Sequence, residues 1–270
     1  LSVSVLAGEG TGMERDYAYS SKVYHSDLAS PEAIGKEAGE RTIKRLNPRK
    51  VPTGKYPVVF DPRVSRTLLG SLIGAISGPS IARGVSFLKD KLHEQILPTG
   101  TLVVDDPFIK RGLRSKPFDG EGLSPMRRNI IENGSLTTWL LDLRSARQLE
   151  LESTGHASRG TSGNPTPSPT NLVLAAGPKT PEELIRETGT GLYVTELMGQ
   201  GTNMVTGDYS RGAAGFWIEN GEIAYPVSEI TIASNLLDMF KTLTPADDLE
   251  RKYGVDAPTV RVEDMTIAGS

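Results

Sequence analysis

Cysteine is absent from this 270-residue chain, which excludes disulfides, thiolate metal sites and cysteine nucleophiles together. Histidine occurs only as His25, His93 and His156, leaving little material for a metal centre. Positive charge is not in excess: 30 Lys and Arg against 33 Asp and Glu give a net charge of −3. No global basic field therefore recruits nucleic acid, and no aromatic–basic stripe compensates. Long hydrophobic runs are missing too. The longest apolar stretch, Leu68–Ile76, is interrupted by Gly70, Ser71 and Gly74 and falls far short of the ~20 residues a bilayer needs. The chain opens on an alternating Leu-Ser-Val-Ser-Val-Leu, with no basic region, apolar core or cleavage site. The expectation is a soluble, cytoplasmic piece of a longer protein, with no membrane or nucleic-acid partner.

Glycine (29) and proline (18) are abundant, which points to many turns and short strands. Val3 and Val5 alternate with small polar residues, as in a half-buried strand. Ser30-Pro31-Glu32 reads as cap, first helical residue and dipole-matched acid, opening a helix to about Leu46 with Ile34, Ala38, Ile43 and Leu46 as its apolar stripe. Residues 47–55 hold Pro48, Pro52 and Gly54 and form a candidate boundary between units 1–50 and 51–270. Pro57–Phe60 reads as a buried strand. Asp61-Pro62 then starts a helix to about Ser77, which Gly78-Pro79 ends. One face of this helix carries Val64, Leu68, Leu69, Leu72, Ile73 and Ile76. The other carries only Thr67, Gly70, Ser71, Gly74, Ala75 and Gly78. Each mid-helix glycine costs ~1 kcal/mol relative to alanine, so this stripe calls for a close neighbouring backbone or an open cavity.

Further on, strands are expected at Thr101–Val104, Gly191–Met198 and Thr259–Ile267, with helices at Pro181–Glu187 and Ile232–Leu243. Asn133-Gly134 joins Asn129–Glu132 to Ser135–Leu141, and Asn220-Gly221 joins Ala213–Glu219 to Glu222–Val227, both with the residues of a type I′ hairpin turn. Residues 153–170 are nearly all loop formers. Strand-turn-strand units dominate, so the predicted class is α+β: antiparallel sheets built from hairpins with a few packed helices.

Chemistry read from residue types alone is sparse. His93-Glu94 lacks the second histidine of a zincin, since Leu97 stands there and Pro98 stops the helix; a surface or capping histidine is the reading. His156 lies among Ser153, Thr154 and Ser158, so a serine-type hydrolase is conceivable, although no Gly-x-Ser-x-Gly elbow occurs. Asp105/Asp106 and Asp247/Asp248 are pairs of the kind that cap and turn, with no resemblance to a cation loop. Gly199-Gln200-Gly201-Thr202-Asn203 follows a strand, but no helix or lysine follows it as a phosphate loop requires. A polar glycine loop against which an extended peptide lies fits it better.

The blocks Met198-Gly199-Gln200-Gly201-Thr202-Asn203, Thr206-Gly207-Asp208-Tyr209-Ser210-Arg211-Gly212, Gly215-Phe216-Trp217-Ile218-Glu219-Asn220-Gly221 and Tyr225-Pro226-Val227-Ser228-Glu229-Ile230-Thr231-Ile232 closely resemble the TldD/PmbA family, within it the PmbA (TldE) branch. Supporting blocks are Leu68–Gly78, Phe118–Gly122, Ser153-Thr154-Gly155 and Glu263–Gly269. The resemblance covers nearly the whole chain, as the C-terminal half to two-thirds of a family member. It implies a cytoplasmic two-subunit zinc protease of bacteria and archaea that processes or degrades unfolded peptides, including a peptide-antibiotic precursor and an antitoxin. The TldD-like partner carries a His-Glu-x-x-x-His helix and the zinc. Where the catalytic branch has those residues, this chain has Gly70, Ser71 and Ala75, and the C-terminal cysteine ligand has no counterpart.

The resemblance thus implies a non-catalytic subunit holding no cofactor itself, with a TldD-like catalytic subunit as partner and a homodimer as its assembly when alone. Gln200, Thr202, Asn203, Asp208, Tyr209, Ser210 and Arg211 are the candidate surface for partner or peptide. The glycines there serve equally as tight-turn residues, and Asp208 with Arg211 reads as a binding couple or an internal ion pair. The alternatives are an independent hydrolase using His156, a peptide-binding module without a protease partner, and DNA binding, which the family's older gyrase-modulator label would suggest.

Overall fold

A computed structural model describes residues 1–269. The fold is α+β. Its centre is a mixed sheet ordered Glu222–Asn235, Asp208–Glu219, Gly191–Met198, Gly54–Phe60, Val260–Ala268 and Thr244–Pro245. Within this sheet, among the described residues, only Gly54–Phe60 and Gly191–Met198 pair in parallel. Strand Glu222–Asn235 also pairs with Val260–Ala268, from Thr231↔Ala268 to Ala233↔Thr266, which closes five strands into a barrel and removes their free edges. A second sheet orders Val255–Asp256, Asn171–Leu174, Val103–Asp106, Arg128–Glu132 and Ser135–Leu136.

The helix Pro62–Ala75 holds the two sheets together. Asp61 caps it, its Oδ1 accepting from the Arg63 N–H at 2.9 Å, while Pro62 takes the first turn. Its Leu68, Leu69 and Leu72 share one core with Val58 and Phe60 of the barrel and Val103, Leu172 and Leu174 of the second sheet. The expected helix is therefore present. Gly78-Pro79 does not simply end the chain's helical course: Ser77 precedes a short helix, Gly78–Ala82, because proline is tolerated in a first helical turn.

Both Asn-Gly turns sit in the left-handed conformation that this turn type requires, with φ of 50° and 83° at Asn133-Gly134 and 52° and 76° at Asn220-Gly221. Other expectations shift. Ile232–Leu243 is not one helix: β-branched Ile230, Thr231 and Ile232 extend the strand to Asn235, which then caps the helix Leu236–Thr242 through its side chain. The second hairpin strand stops at Leu136, short of Leu141. The predicted strand Thr101–Val104 runs instead over Val103–Asp106. Residues 153–170 are not loop throughout, since Ala157–Ser158 pairs with Thr166–Pro167.

The N-terminal hairpin, Ser2–Ala7 with Glu14–Tyr19, packs on the helix Pro31–Lys44 around a small core of Ala18, Ile34 and Ala38. The buried helical face is Ile34, Ala38 and Thr42, whereas Ile43 is 64% exposed; the four-residue spacing wins because Thr42 satisfies its hydroxyl on the Ala38 carbonyl at 2.7 Å.

This unit is joined to the barrel by charge. Asp16, 3% exposed, accepts from Arg63 Nη1 at 2.7 Å, and Arg45 reaches Asp16, Glu14 and Glu196. Burial raises the Asp16 carboxyl pKa, but the hydrogen bond and charge of Arg63, the Tyr17 N–H and Arg45 outweigh it and hold the group below its ordinary value. A depressed carboxylate stabilises the fold above its unfolded pKa of ~3.9 and loses that contribution as pH falls through the folded value. Asp16→Asn should therefore cost about 3 kcal/mol at pH 7, and its deficit should shrink on acidification below the unfolded carboxylate pKa. Urea titrations of both proteins across that range test this; a deficit independent of pH refutes it.

Candidate functional site

The small-residue face of the helix Pro62–Ala75 is not one surface. Gly70 is exposed, with open space where a Cβ would stand. Ser71 is half-buried and donates its hydroxyl to the Thr67 carbonyl at 3.4 Å. A Cβ on Gly74 would meet Met204 Cε at 3.1 Å. Ala75 is fully buried, and its carbonyl accepts from Ser86 Oγ at 2.6 Å. The glycines thus answer to an approaching side chain and to open space, not to a second backbone. Positions 70, 71 and 75 offer one hydroxyl and no imidazole, carboxylate or thiolate. Among the described residues no group of three or more His, Asp or Glu side chains is placed to hold a metal. The donors present do not fit zinc, which takes three or four such ligands.

Met204 connects this helix to the glycine-rich loop. The loop folds back along the start of strand Asp208–Glu219: Ser210 N–H donates to the Gly201 carbonyl at 2.7 Å, Asn203 N–H to the Asp208 carbonyl at 2.8 Å, and Thr202 bridges Tyr209. A Cβ on Gly201 would lie 1.5 Å from the Ser210 carbonyl oxygen, so this approach requires glycine. Asn203 Oδ1 accepts from Val205 N–H at 2.9 Å, a side-chain turn. The result is an open depression of about 770 Å³ lined by Gln200, Thr202, Asn203, Asp208, Tyr209 and Ser210 together with Met204 and Ser234.

Six of the seven residues singled out from the sequence are thus brought together, and Arg211 is not. No ion pair joins Asp208 to Arg211 among the described residues. Asp208 instead accepts from Thr206 Oγ1 at 2.6 Å, and Arg211 Nε donates to the Met198 carbonyl at 3.3 Å. Tyr209 is 2% exposed and its hydroxyl has no partner among the described residues. Burial pushes this phenol up to about 12, against a smaller lowering by Arg211, so it stays protonated at neutral pH. Sequence reasoning missed Asn235. Its Nδ2 donates to the Thr206 carbonyl at 3.0 Å while its Oδ1 caps the next helix; an asparagine before a hydrophobic helical run is the signal that could have found it.

His156 lies in a loop segment, yet in the interior and not at the surface. It is 2% exposed, with Nδ1 2.7 Å from Thr154 Oγ1 and Nε2 3.1 Å from Asp105 Oδ2. Asp105, 1% exposed, also accepts from Thr170 Oγ1 at 2.7 Å, so the first of the Asp-Asp pair is a core residue and not a turn former. The hydroxyl, imidazole and carboxylate are those of a triad, but both ring nitrogens are committed in the interior, and Thr154 Oγ1 already accepts from the Leu141 N–H at 2.8 Å. Neither ring nitrogen pairs with Ser153 or with the exposed Ser158. His93, by contrast, is exposed.

Comparison with known proteins places this geometry. Residues 1–46 match the PmbA/TldA metallopeptidase central domain and residues 53–269 the PmbA/TldA metallopeptidase C-terminal domain. Metalloprotease PmbA of Escherichia coli O157:H7 is 48% identical over 270 residues, covering 100% of this chain and 58% of that protein. Among solved structures, a Thermotoga maritima protein described as a modulator of a DNA gyrase superposes with a TM-score of 0.88 at 35% identity, covering 99% of this chain and 61% of that one. TldE from Thermococcus kodakarensis has the same fold, with a TM-score of 0.87 at 24% identity over 99% of this chain and 62% of its own. The chain therefore spans under two-thirds of the length of these relatives. With both domain types matched in order and near-half identity along its whole length, the chain belongs to the PmbA/TldD metallopeptidase family, in its PmbA (TldE) branch.

Proposed function

We propose that this chain is part of the non-catalytic subunit of a cytoplasmic, two-subunit TldD/TldE-type metalloprotease acting on unfolded peptides. What supports the reading is the helix Pro62–Ala75, where the family resemblance sets Gly70, Ser71 and Ala75 against the zinc-binding positions of the catalytic branch. Those residues can neither ligate zinc nor activate water through it. The metal and the hydrolytic step then belong to a TldD-like partner, and this subunit contributes surface. The depression at Gln200–Ser210 is the part assigned to partner or peptide: its amide and hydroxyl side chains suit an extended backbone, which presents alternating donors and acceptors.

The reading predicts that the purified protein has no peptidase activity and no stoichiometric zinc, that it co-elutes with a TldD-like protein on mixing, and that activity and zinc appear in the mixture. Elemental analysis, a peptidase assay and size-exclusion chromatography measure the three. Zinc-dependent activity of the protein alone would sink the proposal. A homodimer that ignores a TldD-like protein would leave a peptide-binding module in its place.

A further inference from the structure

A cleft of about 350 Å³ opens between the N-terminal unit and the second sheet, where three separate segments bring in cations: Lys22, Lys110 with Arg111, and Arg251 with Lys252. In a chain of net charge −3 this is a local reversal of sign. Its two acids are already spent. Asp27 is engaged by Arg111 Nη1 at 2.7 and 3.0 Å, and Asp256 accepts from the backbone N–H groups of Lys252, Tyr253 and Gly254 at 3.0, 2.7 and 3.0 Å. Lys252 pairs with Glu250. Among the described residues no side chain or backbone group partners the charged ends of Lys22, Lys110 or Arg251, and all three are exposed. Between them lies an apolar wall of Ile109, Leu113 and Val173.

We propose that this cleft is a docking site for an acidic peptide segment, its carboxylates meeting Lys22, Lys110 and Arg251 and its apolar side chains lying on Ile109, Leu113 and Val173. Charges brought in on three segments match carboxylates spaced along a chain, whereas a single phosphate calls for converging donors. A nucleotide base would want a free aromatic face, and the Tyr24 ring is covered by the Arg111 guanidinium at 4.3 Å. The site is distinct from the Gln200–Ser210 depression and does not depend on the chain's lacking zinc.

Fluorescence anisotropy with a short labelled peptide of alternating Glu and Leu tests it on the full chain. The peptide should bind, weaken with added salt, and outcompete its Lys/Leu counterpart. Combining Lys22→Glu, Lys110→Glu and Arg251→Glu should weaken binding by roughly tenfold or more, with the corresponding triple Gln variant intermediate and the circular dichroism of both unchanged. Equal binding of the acidic and basic peptides, or an unaffected triple variant, overturns the proposal. So does displacement of the peptide by pyrophosphate or by an oligonucleotide at equal charge, which would make the cleft a general polyanion site. Co-elution with a TldD-like protein should be the same for the triple variant, so failure here is separable from failure of the proposed function.

Discussion

His156→Ala should lower the unfolding free energy by about 3–5 kcal/mol, the usual cost of removing one member of a buried charged or strongly polar pair. The ring carries both the Thr154 hydroxyl and the Asp105 carboxylate. Without it, Asp105 keeps only Thr170 as a side-chain partner among the described residues, which give its Oδ1 none. A cavity adds to the loss. The consequence reaches beyond one contact, because Asp105 lies on a middle strand of the second sheet and His156 begins the 156–170 segment. Urea unfolding monitored by tryptophan fluorescence measures the effect. A change below about 1 kcal/mol would mean that the pair does not hold the segment, since ordinary surface changes fall in that range. The same variant separates the hydrolase reading from the structural one: a catalytic histidine gives lost turnover with an intact fold, whereas here stability falls.

Gly215→Ala should be still more damaging, with a loss of about 4 kcal/mol or more, at the extreme of single substitutions. A Cβ there would stand 1.9 Å from the Tyr193 carbonyl oxygen and 2.9 Å from Val194 Cα. Both neighbours are backbone of an inner barrel strand, and the site coincides with register shifts on each side, between Val194 and Glu196 and between Ala213 and Gly215. Relief would need two closed-barrel strands to separate. At Gly201 the clash is closer still, 1.5 Å from the Ser210 carbonyl, yet the exposed loop can swing outward, so Gly201→Ala should disturb the depression more than the fold. Thermal melting of the two alanine variants compares them; a Gly215→Ala protein that melts within a few degrees of the parent contradicts this expectation, as ~1 kcal/mol already moves Tm by 2–4 °C at this size.

Features governed by near neighbours in sequence are legible in the residues themselves. Ser30-Pro31 and Asp61-Pro62 each start a helix because the cap side chain satisfies an N–H two or three residues on. The Asn-Gly turns follow from the cheapness of positive φ at those residues. The small side chains at positions 70, 71 and 75 are legible as residue types, and the glycine loop stands out by its polarity. The boundary at Ile232 is not legible in this way, because a β-branched run reads as either element until its pairing partner is known. Its partners are Arg211–Ala213 on one side and Thr266–Ala268, over thirty residues away, on the other.

Residue identity by itself determined the family, the helix starts, the hairpin turns and the lack of metal donors at positions 70, 71 and 75, since each rests on local sterics or on side-chain chemistry. Tertiary structure alone decided which charges are free. It buried Asp16 against Arg63 and Asp105 against His156, 47 and 51 residues apart in sequence, parted Asp208 from Arg211, and left Lys22, Lys110 and Arg251 without a partner among the described residues around one cleft. Pairing of charges depends on through-space distance and burial, and no spacing along the chain encodes either one.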